Sequence, residues 1–209
     1  MLDAIYQGVI AGDLTGVAAG VQLALESGLP PADILDQGLL AAMAEIGRRF
    51  EYSECFVPEM LVAARAMQQG LAVLKPHLVE ASVAPAGIVV LGTVRGDLHD
   101  LGKNLVGLML EGIGFEIIDL GVDVPPEEFV AAARRYQPAF IGLSAMLTTT
   151  MPNMLRTVEA LKEAGLQERV KVMIGGAPVT QQFCDRIGAD LYAPDAAIAA
   201  NRVKQVTDT

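Results

Sequence analysis

Between Thr93 and Asn104 the chain reads Thr-Val-Arg-Gly-Asp-Leu-His-Asp-Leu-Gly-Lys-Asn, which sets His99 between two acids, Asp97 and Asp100, in a loop bracketed by Gly96 and Gly102. Imidazole ligates transition metals through one ring nitrogen, and a carboxylate on the other nitrogen fixes the tautomer and raises the ligand's basicity. Asp97 is placed to be that partner. Taken alone, a loop histidine is usually just a solvated side chain. Two further elements stand at set distances from it. Gly102 is followed by 41 residues, 103 to 143, before Ser144-Ala145-Met146, and these by 28 residues, 147 to 174, before Gly175-Gly176.

These residues need elements to bring them together, and the apolar pattern supplies two kinds. Up to about residue 80 the spacing is helical and falls into four segments. Leu2, Ile5 and Val9 make one stripe and Leu14, Ala18, Val21 and Leu25 a second. Leu35, Leu39, Ala42, Ile46 and Phe50 make a third, and Met60, Ala64, Met67, Leu71 and Leu74 a fourth. Gly12-Asp13, Gly28-Leu29-Pro30-Pro31 and the stretch Glu51 to Phe56 supply the breaks, so the segments predict an antiparallel four-helix bundle. The run ASVAPAG then reads as a linker, which divides the chain into domains at 1–82 and 83–209. Beyond it, short apolar runs begin at Gly87, Phe115, Ala139, Val170 and Ala189, separated by helix-length segments. That alternation predicts a doubly wound, Rossmann-like domain on a five-stranded parallel sheet, whose ligand sits beyond the carboxyl ends of the strands. The three chemical elements all fall at such ends.

The order and spacing of Asp97-Leu98-His99-Asp100-Leu101-Gly102, Ser144-Ala145-Met146 and Gly175-Gly176 closely resemble the DxHxxG, SxL and GG fingerprint of cobalamin-binding domains. The segment IGRRFEYSECFVPEMLVAARAMQQGLAVLKP is similar to the helical cap of methionine synthase and of the corrinoid proteins of methanol, methylamine and methyl ether systems. The resemblance implies cobalamin held base-off, with His99 as its cobalt ligand and a His99–Asp97–Thr150 chain able to pass a proton. It implies corrin contacts from the loop Gly96, Leu98, Asp100 and Gly102. Ser144, Met146, Thr148, Gly175, Gly176 and Ala177 would line the slot of the nucleotide tail, the glycines letting backbone approach it. Met146 replaces the leucine of the pattern, a swap of similar volume. In the cap, Phe50 and Val57 would lie over the corrin, Asp36 would reach a corrin amide, and Met43 and Met60 would complete an apolar lid; at helical spacing, methionines are also ordinary core.

The function so implied is a corrinoid methyl carrier between a substrate-specific methyltransferase and a second methyltransferase acting on tetrahydrofolate or coenzyme M, with a reductive activator as further partner. The hard chemistry would be the cofactor's, and the chain would not be catalytic alone. A cobalamin-dependent sensor is the alternative. A carbon-skeleton mutase subunit would not need this cap, and no GxGxxG follows the first strand to suggest a dinucleotide site.

Composition narrows the classes. With 52% hydrophobic residues the chain can bury a large core, and a net charge of −10 excludes a nucleic-acid footprint, which needs clustered Lys and Arg. Cys55 and Cys184 form no metal-ligand spacing and read as structural thiols of a cytoplasmic protein. The longest uncharged stretch, Gln137 to Leu155, carries a serine, three threonines, an asparagine and two prolines, so no membrane span is expected. The start, MLDAIYQGVIAGD, lacks the pattern of a signal peptide.

Overall fold

The computed structural model describes residues 1–81 and 83–207, with Glu51 described by its backbone alone. Ser82 and Thr209, the limits expected for the two domains, lie outside the described residues. The chain divides into two compact units, the first built on Met1–Pro85 and the second on Ala86–Glu111 with Phe115–Thr209.

The first unit is all-helical. Helices α1 (Leu2–Ala11) and α2 (Leu14–Glu26) are followed by a continuous helical stretch from Pro31 to Glu51, and then by the long α5 (Val57–Glu80). The continuous stretch has three parts: a first turn α3 (Pro31–Asp33), a π-helical segment (Ile34–Leu40) and α4 (Ala41–Glu51). Local chemistry sets these limits. The Asp13 carboxylate accepts from the Gly16 N–H at 2.9 Å and caps α2, while the Glu59 carboxylate accepts from the Phe56 N–H at 2.8 Å at the start of α5. Ile5, Val9, Val21, Leu39, Met60, Met67 and Leu74 are buried at the predicted stripe positions, whereas in α2 Val17 is buried and Leu14, expected in the stripe, is exposed. Helices α2 and α5 approach closely at Gly70, where a Cβ would stand 2.8 Å from Val17 and 3.0 Å from Leu39.

The second unit is a five-stranded parallel sheet in the order β2-β1-β3-β4-β5, the flavodoxin-like order. Its strands are β1 (Gly87–Thr93), β2 (Phe115–Asp119), β3 (Phe140–Ser144), β4 (Lys171–Gly175) and β5 (Leu191–Ala193). The covering helices are α6 (Leu101–Glu111), α7 (Pro126–Tyr136), α8 (Pro152–Glu163), α9 (Gln181–Ile187) and α10 (Ala196–Thr207). Val90, Phe129, Ile141, Leu143, Met154, Ile174 and Phe183 build one buried core. Phe115 packs edge-on against Phe140, their ring centres 6.1 Å apart. Full burial of each such side chain contributes roughly 2 kcal/mol. An exposed ion pair such as Lys171–Asp190 contributes at most about 1 kcal/mol, so packing places the helices.

Strand register explains why motifs far apart in sequence meet. Thr93 pairs with Ser144, Ser144 with Gly175, and Gly175 with Ala193, so the loops after β1, β3 and β4 leave the sheet at one level. Because β2 lies on one side of β1 and β3 on the other, the crevice of this topology opens between the ends of β1 and β3. Among the described residues, no helix is long and apolar enough to cross a membrane.

Candidate functional site

Asp97 is the centre of this crevice, fully buried although ionisable. One carboxylate oxygen, Oδ1, faces His99: it lies 2.7 Å from the ring Nδ1 and accepts the His99 backbone N–H at 3.1 Å. The other, Oδ2, faces the β3–α8 loop. It accepts from the Met146 N–H at 2.8 Å, the Leu147 N–H at 3.3 Å and the buried Thr150 hydroxyl at 2.6 Å. Burial pushes the Asp97 carboxyl upward. The bonds from Thr150, Met146 and His99 together outweigh that and hold it well below the usual carboxylate range.

This arrangement settles the chemistry of the imidazole. An ionised carboxylate only accepts, so Nδ1 is the nitrogen that carries a proton, and in the neutral ring the lone pair is left on Nε2. The ring is 56% exposed while its partner is fully buried, which presents a fixed, metal-competent nitrogen from a rigid base. The apolar side chains beside it are unusually open: Leu98, Leu101, Met146 and Leu147 are all exposed. Exposed hydrophobic groups gathered around an outward-facing imidazole are a surface suited to binding.

The loop carrying His99 is held along its length. The buried Thr93 hydroxyl donates to the His99 carbonyl at 2.9 Å, and the Asn153 amide donates to the Arg95 carbonyl at 2.7 Å. Asp100 ends the loop by accepting the Asn104 backbone N–H at its carbonyl, 2.8 Å, and the Asn104 side-chain amide at its carboxylate, 3.2 Å.

Two of the motif glycines differ sharply in their surroundings. A Cβ on Gly176, whose φ is +129°, would stand 1.9 Å from the Ala145 carbonyl oxygen, whereas a Cβ on Gly102 would meet nothing within 4 Å. Gly176 is therefore required by the chain's own packing, and Gly102 leaves open space at the start of α6. Thr148 and Ala177 are exposed, and Ser144 is half-buried at the end of β3.

The crevice brings together Gly96, Asp97, Leu98, His99, Asp100, Gly102, Ser144, Met146, Thr148, Thr150, Gly175, Gly176 and Ala177. Asp36, Phe50 and Val57 belong to the helical unit. Asp36 is exposed on the π-helical segment, a departure from regular helix that recurs at functional sites. Phe50 and Val57 are half-buried, and Met43 and Met60 are fully buried. Both cysteines are buried and free; burial raises both thiols, Cys184 to about 11, as befits structural side chains.

Comparison with known families shows what the chain binds. A family model described as B12 binding domain matches residues 87–201, and a second of the same description matches residues 1–75. The chain belongs to the B12-binding corrinoid proteins. It is 44% identical to dimethylamine corrinoid protein 1 of Methanosarcina acetivorans, over 99% of this chain and 97% of that one. It is also 44% identical to trimethylamine corrinoid protein 1 of the same organism, over 88% and 86%. Among solved structures it resembles one chain of the methanol:cobalamin methyltransferase complex of Methanosarcina barkeri, with TM-score 0.88, 31% identity, and coverage of 99% of this chain and 79% of that chain. The cofactor of this corrinoid protein is cobalamin.

Sequence reasoning missed several members of the site. The Met146 and Leu147 backbone donors on Asp97 carry no side-chain signal. Leu101 and Leu147 look like any core leucines, since apolar residues beside a loop are usually buried. Asp123 accepts the Gly96 N–H at 2.6 Å, and its only trace in sequence is a polar residue between Val122 and Val124.

The depressed Asp97 carboxyl makes stability depend on acid. Its folded value lies below its unfolded one, so its contribution is present in full above roughly pH 4 and is lost as pH falls further. Urea unfolding of wild type and Asp97→Asn at a series of pH values checks this. The stability gap between them is expected to be constant above that pH and to shrink below it; a gap that widens in acid contradicts the assignment.

Proposed function

We propose that this corrinoid protein is a methyl carrier that would hold cobalamin base-off, with His99 Nε2 as its cobalt ligand. The observation that carries this reading is the His99–Asp97 pair, a tautomer-fixed imidazole raised on a buried carboxylate among exposed apolar side chains at the sheet's carboxyl edge. Cobalamin, when bound, supplies a cobalt centre that accepts and releases a methyl group. The residues present fit it. Leu98 and Leu101 offer apolar surface, Gly96, Asp100 and Gly102 leave the loop unobstructed, and Ser144, Met146, Thr148, Gly175, Gly176 and Ala177 receive the nucleotide tail. Asp36, Phe50 and Val57, which belong to the helical unit, are the remaining residues proposed to touch the cofactor. Asp97, held by Thr150, fixes the Nδ1 proton, and the His99–Asp97–Thr150 chain would pass a proton as ligation changes.

The partners on this reading are a substrate-specific methyltransferase, a second methyltransferase acting on tetrahydrofolate or coenzyme M, and a reductive activator. Support comes from the relatives, whose names place them in methylamine systems and in a complex with a methanol methyltransferase. The test loads the protein with methylcobalamin and adds a coenzyme M or tetrahydrofolate methyltransferase. Methyl transfer above the rate of free methylcobalamin supports a carrier. No transfer with either, together with a light-dependent change of oligomeric state on adenosylcobalamin, would make it a sensor.

His99→Ala tests the ligand. Because the side chain is largely exposed, the variant is expected to fold like wild type. In protein labelled with 15N-histidine and loaded with cobalamin in the cobalt(II) state, electron paramagnetic resonance is expected to show histidine nitrogen splitting in wild type and none in the variant. An unchanged splitting would assign the ligand elsewhere.

A further inference from the structure

We propose that the turn after β2 is a two-point clamp on the cofactor loop, with Asp119 and Asp123 as positioning residues for His99. The proposal rests on His99 being the cobalt ligand. The turn runs alongside the loop from its first residue: the Leu120 N–H donates to the Leu91 carbonyl at 2.8 Å, the Thr93 N–H to the Gly121 carbonyl at 3.0 Å, and the Val124 N–H to the Thr93 carbonyl at 2.9 Å. Beyond that pairing, two aspartates, Asp119 at the end of β2 and Asp123 in the turn, reach to either side of His99.

Asp123 grips the residues before it. Its carboxylate accepts the Gly96 N–H at 2.6 Å, and its own N–H donates to the Asp97 carbonyl at 2.9 Å. The reciprocal pair fixes the peptides on both sides of the Gly96–Asp97 link, which aim the Asp97 side chain. Asp123 holds a left-handed conformation, φ +56°, which aspartate, asparagine and glycine tolerate best.

Asp119 grips the residues after it. Its carboxylate oxygens lie 2.6 and 2.5 Å from Lys103 Nζ, and the Lys103 side chain is only 2% exposed, an extreme burial for an ammonium. Lys103 also donates to the Asn104 amide oxygen at 2.7 Å, and Asn104 in turn holds Asp100. A surface lysine would serve solubility equally well. A buried one whose carboxylate partner sits on the neighbouring strand's turn locks the start of α6 to the sheet edge, and with it the far end of the loop.

Both anchors act on the angle and height of the imidazole without touching the cofactor, so their loss must show in the metal's ligation. Three variants separate this from a general loss of stability. Asp123→Gly removes the acceptor while suiting the positive φ, Asp123→Asn keeps an acceptor in the same place, and Lys103→Met removes the second anchor without leaving a buried charge. Asp190→Ala serves as control: Asp190 accepts the Val172 N–H at 2.8 Å, a comparable carboxylate-to-backbone bond remote from the loop.

Each protein, labelled with 15N-histidine, is loaded with cobalamin and read by the histidine splitting in the cobalt(II) state. Supporters of a lost positioning contact typically change metal binding by about 10- to 100-fold. Asp123→Gly and Lys103→Met are expected to shift the ratio of histidine-bound to unbound cobalt by roughly tenfold toward unbound. Asp123→Asn is expected to restore most of the ratio, and Asp190→Ala to leave it unchanged. Ratios unchanged in Asp123→Gly and Lys103→Met, or lowered equally in the control, overturn the clamp. If wild type itself lacks the splitting, the ligand assignment fails instead, which is a separate outcome.

Discussion

Asp97→Asn is expected to weaken the sheet domain by about 2–4 kcal/mol and to abolish most histidine ligation, although it changes a single atom type. The five contacts of the carboxylate are all with groups that donate toward it. An amide offers one accepting and one donating end. If its oxygen stays with Met146, Leu147 and Thr150, its NH2 faces the His99 backbone N–H and Nδ1. The imidazole then does best as an acceptor at Nδ1, which moves its proton to Nε2 and removes the lone pair a metal needs. If the amide turns over, the NH2 meets the Met146 and Leu147 N–H groups, and buried donors lose their partner. Hydrogen bonds to a charged group contribute about 1.5–3 kcal/mol, and a buried unsatisfied donor costs about 1–3 kcal/mol, so either orientation falls in the stated range. Urea unfolding measures the first effect and the 15N-histidine splitting the second. A variant as stable as wild type with the splitting intact would mean that the carboxylate's charge is unimportant here.

That Asp97 partners His99 could be read in the sequence, because the loop, Ser144-Ala145-Met146 and Gly175-Gly176 stand at a combined spacing that one acid beside one histidine would not supply. The sheet was legible for a related reason: the inner strands of a parallel sheet must be short apolar runs, and GIVVLG and AFIGLS have no polar alternation to suggest an exposed face. Once five such strands alternate with helices, their carboxyl ends must gather the loops, and Thr93, Ser144 and Gly175 duly stand level. The hidden parts are those that side-chain type does not encode. Met146 contributes its backbone N–H, which any residue but proline supplies. The π-helical segment inside the third helical stripe is hidden because Leu35, Leu39 and Ala42 keep ordinary helical spacing. Met43 and Met60 give the same periodic signal whether they face a ligand or a core, and their full burial comes only from the structure. Asp123 is legible only after the turn that carries it has been laid beside the loop.

Gly176→Ala is expected to be among the most damaging single-methyl changes in the protein, and Gly102→Ala among the mildest, although the same fingerprint contains both. At Gly176 the added carbon would stand 1.9 Å from the Ala145 carbonyl oxygen and 2.9 Å from its carbon, both backbone atoms. Backbone cannot rotate away as a side chain can. The loops after β3 and β4 would have to separate, breaking the Ala145 N–H bond to the Gly175 carbonyl at 3.2 Å and disturbing the Met146 bond to Asp97 next door. Overpacking of this kind and a disfavoured φ together cost roughly 3–5 kcal/mol. Gly102 lies in α6 with nothing within 4 Å of its missing carbon, so alanine there should be neutral or gain up to about 1 kcal/mol in the cobalamin-free protein. The two substitutions thus separate what the fold requires from what the cofactor requires. Thermal unfolding without cobalamin should show Gly176→Ala collapsed or strongly destabilised and Gly102→Ala unharmed. Titration with cobalamin should then show weakened binding for Gly102→Ala, since open space that the fold does not need is kept for a ligand. If Gly102→Ala bound cobalamin as tightly as wild type, the start of α6 would not lie against the corrin, and the contact surface would be confined to the residues from Gly96 to Asp100.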